Sequence, residues 1–169
     1  MAVCYRFPIR KEIRIDLQAP DGYNNCIKTV ANRQKRGRGF MWELEKAVLI
    51  TNNDRVYEKY KDQMQVILLK TYEEVLLKTR DMVYDRHLLL THPQASSLKP
   101  NQTPFRSVVV YPKGEEDNMK DIMLIEKCIE TFRQWQEIAK TPEDYEKKVA
   151  EDFKTIDLSV VDNIIPRIC

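Results

Sequence analysis

The sequence predicts a single three-layer α/β domain with a mainly parallel sheet of about four strands, two long C-terminal helices and an irregular N-terminal tail. Three observations carry this. From Met41 onward, short continuous apolar runs alternate with segments whose apolar residues recur at helical spacing. Three of the four glycines (Gly22, Gly37, Gly39) lie before that point, in a stretch without either periodicity. The charge also reverses there: residues 1–40 hold nine basic and three acidic side chains, whereas the remainder is acidic overall. At 169 residues the chain has one domain's worth of length, divided as a tail over 1–40 and an α/β domain over 41–169.

Lys46 to Thr51 is an apolar run closed by Asn52-Asn53-Asp54, the pattern of a strand buried on both faces that hands over to a helix. Val56, Tyr57 and Tyr60 follow at helical spacing, and Val66 to Leu69 is a second buried run, so the three make a βαβ unit. Thr71, with Glu73 and Glu74 after it, opens a helix whose stripe is Val75, Leu76, Thr79, Met82 and Val83. Leu88 to Thr91 is a third strand, stopped by His92-Pro93. A polar connector over 94–104, carrying Pro100 and Pro104, leads into a fourth strand from Phe105 to Tyr111. Ile122, Ile125, Ile129 and Phe132 predict one long helix from Asp117 to about Lys140. Thr141-Pro142-Glu143-Asp144 opens a second late helix with Tyr145, Val149, Phe153 and Ile156 inward. Asp157 or Ser159 is expected to cap a last short turn carrying Val160, Val161, Ile164 and Ile165.

Composition removes several function classes. No apolar run approaches the ~20 residues that span a bilayer, and the N-terminus has no apolar core of a secretory signal, so a cytoplasmic protein without a membrane partner is expected. The four cysteines show no CxxC spacing and the only histidines are His87 and His92, so no metal site is expected. Gly114 is the only glycine after Met41, which leaves no phosphate-cradling GxGxxG or GxxxxGK[ST] loop and no GxSxG elbow; no cofactor is expected. Cys128, Trp135 and Tyr145 read as packing residues.

The basic stretch from Asn32 to Phe40 has two readings. It can be an arm that neutralises nucleic-acid phosphates, the one route by which nucleic acid becomes a partner. Lys35 to Met41 can also be spelled by purine-rich codons resembling a ribosome-binding site before a start codon, so residues 1–40 are expected to be translated leader or tail.

Polar residues gather just past the strand ends, the edge of an open α/β sheet where ligands sit. Thr51, Asn52 and Asn53 follow the first strand. Thr91 and His92 follow the third, with Ser97, Lys99, Asn101 and Thr103 in the connector and Arg106 at the start of the fourth. Hydroxyls, amides and cations in this mixture suit a small carboxylate or phosphate. The same residues also cap helices and make ordinary surface loops, so both readings stand. The Asn52-Asn53 turn and the connector are expected to face each other across a polar pocket, as segments leaving adjacent parallel strands. His92 is the one candidate acid or base at this edge, since His87 precedes the third strand and is expected at its opposite end; no paired acid or nucleophile accompanies it.

Leu49-Ile50-Thr51-Asn52-Asn53, together with Leu89-Leu90-Thr91-His92-Pro93 and the stretch from Ser97-Leu98-Lys99-Pro100-Asn101 to Thr103-Pro104-Phe105-Arg106-Ser107, resembles the GrdX family. The resemblance covers about 44–165 and leaves the basic leader outside. It implies association with the glycine, sarcosine and betaine reductase systems of amino-acid-fermenting anaerobes. The expected function is therefore an accessory or regulatory protein without chemistry of its own, binding a reductase component or a small anionic metabolite. The alternative is a small enzyme with His92 as acid or base and Lys99 or Arg106 holding an anionic substrate.

Overall fold

The computed structural model describes residues 43–94 and 101–168. The predicted leader, and Ser97 and Lys99 of the connector, lie outside the described residues.

Strand β1 (Val48–Thr51) is buried throughout, as its uninterrupted apolar run requires. Its alternate side chains serve opposite faces: Val48 and Ile50 enter one core, Leu49 the other. Helix α1 (Asp54–Tyr60) follows at once, its first turn held by the Asn53 side chain, which accepts from the Arg55 N–H. Strand β2 (Gln65–Leu68) lies parallel to β1 and completes the βαβ unit. Helix α2 (Tyr72–Tyr84) begins with the expected capping box: Thr71 Oγ1 accepts from the Glu74 N–H while the Glu74 carboxylate reaches back to the Thr71 N–H. Strands β3 (His87–Leu89) and β4 (Ser107–Pro112), then helices α3 (Met119–Gln134) and α4 (Lys147–Ile168), complete the chain. Gly114, φ +45°, takes the left-handed turn after β4.

Two cores sandwich the sheet. Val75, Leu76 and Val83 of α2 and Leu124, Ile125, Cys128 and Ile129 of α3 cover one face. Val56 and Tyr60 of α1 and Val161 and Ile165 of α4 cover the other. Cys128 is buried among the apolar rows, as expected of it.

The sheet is mixed rather than mainly parallel. Its order is β2-β1-β4-β3, with β4 antiparallel to both neighbours. The reason is legible in the connector. A parallel return needs a crossover that carries the chain back to the opposite end of the sheet, usually a helix, whereas 94–104 has no helical stripe and delivers β4 at the edge where β3 ends. Thr91 and Asn52 therefore share one end of the sheet, but the start of β4 stands between them. The two segments thus do not leave adjacent parallel strands, and residues 95–100 of the connector, one wall of the expected pocket, lie outside the described residues.

The late helices also differ from the expected ones. α3 stops at Gln134, six positions short of Lys140. Two short 3₁₀ turns, Gln136–Ile138 and Pro142–Asp144, fill the gap, and the Thr141 capping box serves the second of them. α4 then runs from Lys147 to Ile168 without the break expected at Asp157 or Ser159. Val149 and Ile156 are over a third exposed rather than inward. The inward row is Ala150, Asp157, Val161 and Ile165, a stripe rotated because it includes a buried carboxylate.

Candidate functional site

Two predicted site residues, Thr51 and Asn53, sit in a buried polar knot at the end of β1. Thr51 and Asn53 are fully buried, and Ser107 and Asp157 nearly so. Thr51 Oγ1 and Ser107 Oγ lie 2.7 Å apart, and Ser107 Oγ donates to Asp157 Oδ2 at 2.7 Å. Thr51 Oγ1 accepts from the Asn53 N–H at 3.0 Å. The Asn53 amide donates to the Asp157 carboxylate at 3.1 Å and to the Lys154 carbonyl at 2.9 Å. These bonds join β1, β4, the start of α1 and the middle of α4. Burial of a carboxylate is tolerable only with such donors around it. Asp157 was expected merely to cap a turn, and no sequence signal marks it as the hub.

Asn52 mimics a strand residue. Its side-chain oxygen accepts from the Arg106 N–H at 2.7 Å and its amide donates to the Pro104 carbonyl at 2.8 Å. Thr91 acts similarly where β3 and β4 diverge, its Oγ1 accepting from the Val109 N–H at 2.9 Å. His92 Nδ1 accepts from the Gln94 N–H at 3.0 Å, and the ring is partly buried. Burial, followed by the charge of Arg106, lowers its pKa to about 4, so the imidazole is neutral at pH 7. Arg106 itself is buried; its guanidinium donates to the Gln94 carbonyl at 3.3 Å and stands 5.6 Å from the centre of the Tyr72 ring. Thr103 Oγ1 donates to the Phe105 carbonyl, and the Asn101 carbonyl accepts from the Lys140 N–H.

Beside these residues lies a cleft of about 340 Å³ between the start of α2 and the segment joining α3 to α4. Asn52, Thr103 and Pro104 line its inner side, with Tyr72 and Phe132 packed edge to face at 4.9 Å. Lys70, Thr71 and Glu73 form one wall, and Gln136, Lys140, Thr141 and Glu143 the other. The outer wall is pinned inward twice: Lys140 N–H donates to the Asn101 carbonyl, and the Tyr145 hydroxyl donates to the Gln102 carbonyl at 2.7 Å. Tyr145 otherwise packs on Phe153, as expected of it. Glu73 faces Arg133 at 3.9 Å and Gln136 at 3.5 Å across one mouth of the cleft.

Of the predicted residues, Asn52 and Thr103 line this cleft; Thr51, Asn53, Thr91, His92, Asn101 and Arg106 do not. Lys70, Tyr72, Phe132 and Lys140 are among the cleft residues that sequence reasoning missed. Their only signal was placement, since Lys70-Thr71 follows the end of β2 at the edge where ligands bind. Among the described residues no cluster of side chains could hold a metal ion, and no helix is long and apolar enough to cross a membrane.

Fold and cleft together define a small α/β domain with a mixed four-stranded sheet and a polar-rimmed cleft at the carboxyl end of its parallel pair. The chain belongs to the family described as GrdX-like protein, whose family model matches residues 48–166. Neither a search of curated proteins nor one of solved structures finds a match.

Proposed function

We propose that this protein is a non-catalytic accessory or regulatory member of a glycine, sarcosine or betaine reductase system, acting in the cytoplasm by holding a small anionic metabolite in the cleft beside α2. Family membership supports the pathway context. One observation supports the ligand: Lys70 and Lys140 both line the cleft, one before the start of α2 and the other on the segment joining α3 to α4. A carboxylate or phosphate entering there meets these two lysines, with Thr71, Thr103 and Thr141 as hydroxyl partners. Glu73 is turned to Arg133 and Gln136, leaving Glu143 as the acid that narrows the choice to small anions.

Binding is favoured over chemistry by what the cleft presents. Its lining contains no histidine, cysteine or serine. His92, the one candidate base at this edge, is outside the lining, and a pKa near 4 makes it a weak proton acceptor at neutral pH. The test is thermal unfolding of the full chain with acetate, inorganic phosphate or acetyl phosphate. At least one should raise the melting temperature, and Lys140→Met should remove the rise. No rise with any of the three, or an unchanged rise in the variant, contradicts the reading.

A further inference from the structure

The cleft has one wall built into the fold and one that is only tied on. Thr71, Tyr72 and Glu73 belong to the start of α2, where the Thr71–Glu74 box closes the first turn and Tyr72 is buried in the core. The outer wall is the chain from Gln136 to Asp144, and neither of its 3₁₀ turns buries a residue. Its second turn is nevertheless braced from within. The Thr141 N–H and hydroxyl donate to the Asp144 carboxylate at 2.7 and 3.0 Å, and the Asp144 N–H donates to the Thr141 carbonyl at 3.2 Å. A segment of this kind, ordered locally but without buried apolar contacts, belongs to the low-stability end of a fold and opens apart from the core.

The ties that hold the wall in place converge on Tyr145. Its ring packs on Phe153 of α4 at 4.9 Å, and its hydroxyl donates to the Gln102 carbonyl at 2.7 Å. The adjoining Asn101 carbonyl accepts from the Lys140 N–H at 3.1 Å, and the Lys140 ammonium stands 5.3 Å from the centre of the Tyr145 ring. Tyr145 thus fixes the stretch of connector that offers Lys140 its acceptor. Across the mouth, the Gln136 amide donates to Glu73 at 3.5 Å, a long and exposed bond that restrains little. The wall begins where Trp135 leaves the end of α3 and finishes at the extended backbone of Tyr145, two element-terminal positions of the sort that absorb a hinge motion.

We propose that residues 136–144 form a gate over the cleft, opening about Trp135 and Tyr145, with the Lys140–Asn101 bond as its latch and Tyr145 as the positioning residue that holds the latch acceptor. The inference rests on the reading of the cleft as the binding site: the open gate admits the anion, and closure brings the Lys140–Thr141 stretch back over it.

Amide hydrogen exchange of the full chain, followed residue by residue by NMR with no anion added, tests the gate apart from the ligand. The Lys140 amide should be protected, yet exchange through an opening that low concentrations of urea do not promote. Ile50 and Ile125, buried in the core, should exchange through openings that urea promotes steeply. Tyr145→Phe should speed Lys140 exchange by roughly fivefold or more, the effect of about one hydrogen bond, beyond any change at Ile50 and Ile125. An unprotected Lys140 amide overturns the proposal, as does a urea dependence as steep as that of the core. So does a Tyr145→Phe variant in which Lys140 exchange is unchanged, or is accelerated no more than that of Ile50 and Ile125, since Tyr145 would then act on the whole fold alone. A gate seen in exchange together with no thermal stabilisation by acetate, phosphate or acetyl phosphate supports the gate and contradicts only the reading of the ligand.

Discussion

The knot around Asp157 and the cleft beside α2 lie on either side of Asn52, yet they are built on opposite principles. In the knot the polar groups bond one another: the Thr51 and Ser107 hydroxyls, Asp157 Oδ2 and the Asn53 amide form one continuous buried set of hydrogen bonds. In the cleft the polar groups stand on the rim around an aromatic floor, and two lysines are among the lining residues. A cluster of polar residues at a strand end is therefore a poor guide to a binding site unless its hydrogen bonds are counted. Self-satisfied groups have nothing left to offer a ligand.

Breaking the knot should cost the most. Asp157→Ala removes the acceptor of Ser107 and Asn53 and leaves both donors buried, so the denaturant midpoint should fall by the equivalent of about 3 kcal/mol. A loss below about 1 kcal/mol would mean that the four groups are not coupled. The second effect is a pH dependence. His92 has a folded pKa of about 4 against about 6.5 in the unfolded chain, so the unfolded state binds the proton first as pH falls. The stabilisation is complete above about pH 6.5 and is lost progressively as pH falls toward 4. Stability curves of the wild type and His92→Gln should diverge in that window and run parallel above pH 7.

Asn52 borders both regions and sharpens the comparison. Asn52→Asp keeps the acceptor for the Arg106 N–H but sets an oxygen against the Pro104 carbonyl, which predicts a loss of about 1–2 kcal/mol in chemical denaturation. The smallest effect belongs to the cleft. Lys140→Met should change stability by less than about 0.5 kcal/mol, because an exposed rim lysine contributes little to folding. A large loss there would make the lysine a structural element, like the knot.

The elements were legible because each has a local cause. The β1 run, the Asn53 cap, the Thr71–Glu74 box and the apolar rows of α2 and α3 follow from spacing alone. The direction of β4 was not read, although a connector without a helical stripe was its sign. The face α4 turns inward includes Asp157, whose partners lie 50 and more positions away, which no local pattern contains. The cleft was half legible: Asn52 and Thr103 were named, but Lys70, Tyr72, Phe132 and Lys140 meet only through the tertiary fold.

Amide chemical-shift mapping by NMR during titration of the full chain with acetyl phosphate most directly tests whether the knot is structure and the cleft is the site. The account predicts saturable shifts at Tyr72, Glu73, Lys140 and Thr141, with Thr51, Asn53, Ser107 and Asp157 unmoved. Saturable shifts centred on Thr91, His92 and Asp157, with the α2 start and the 139–143 segment silent, would contradict it.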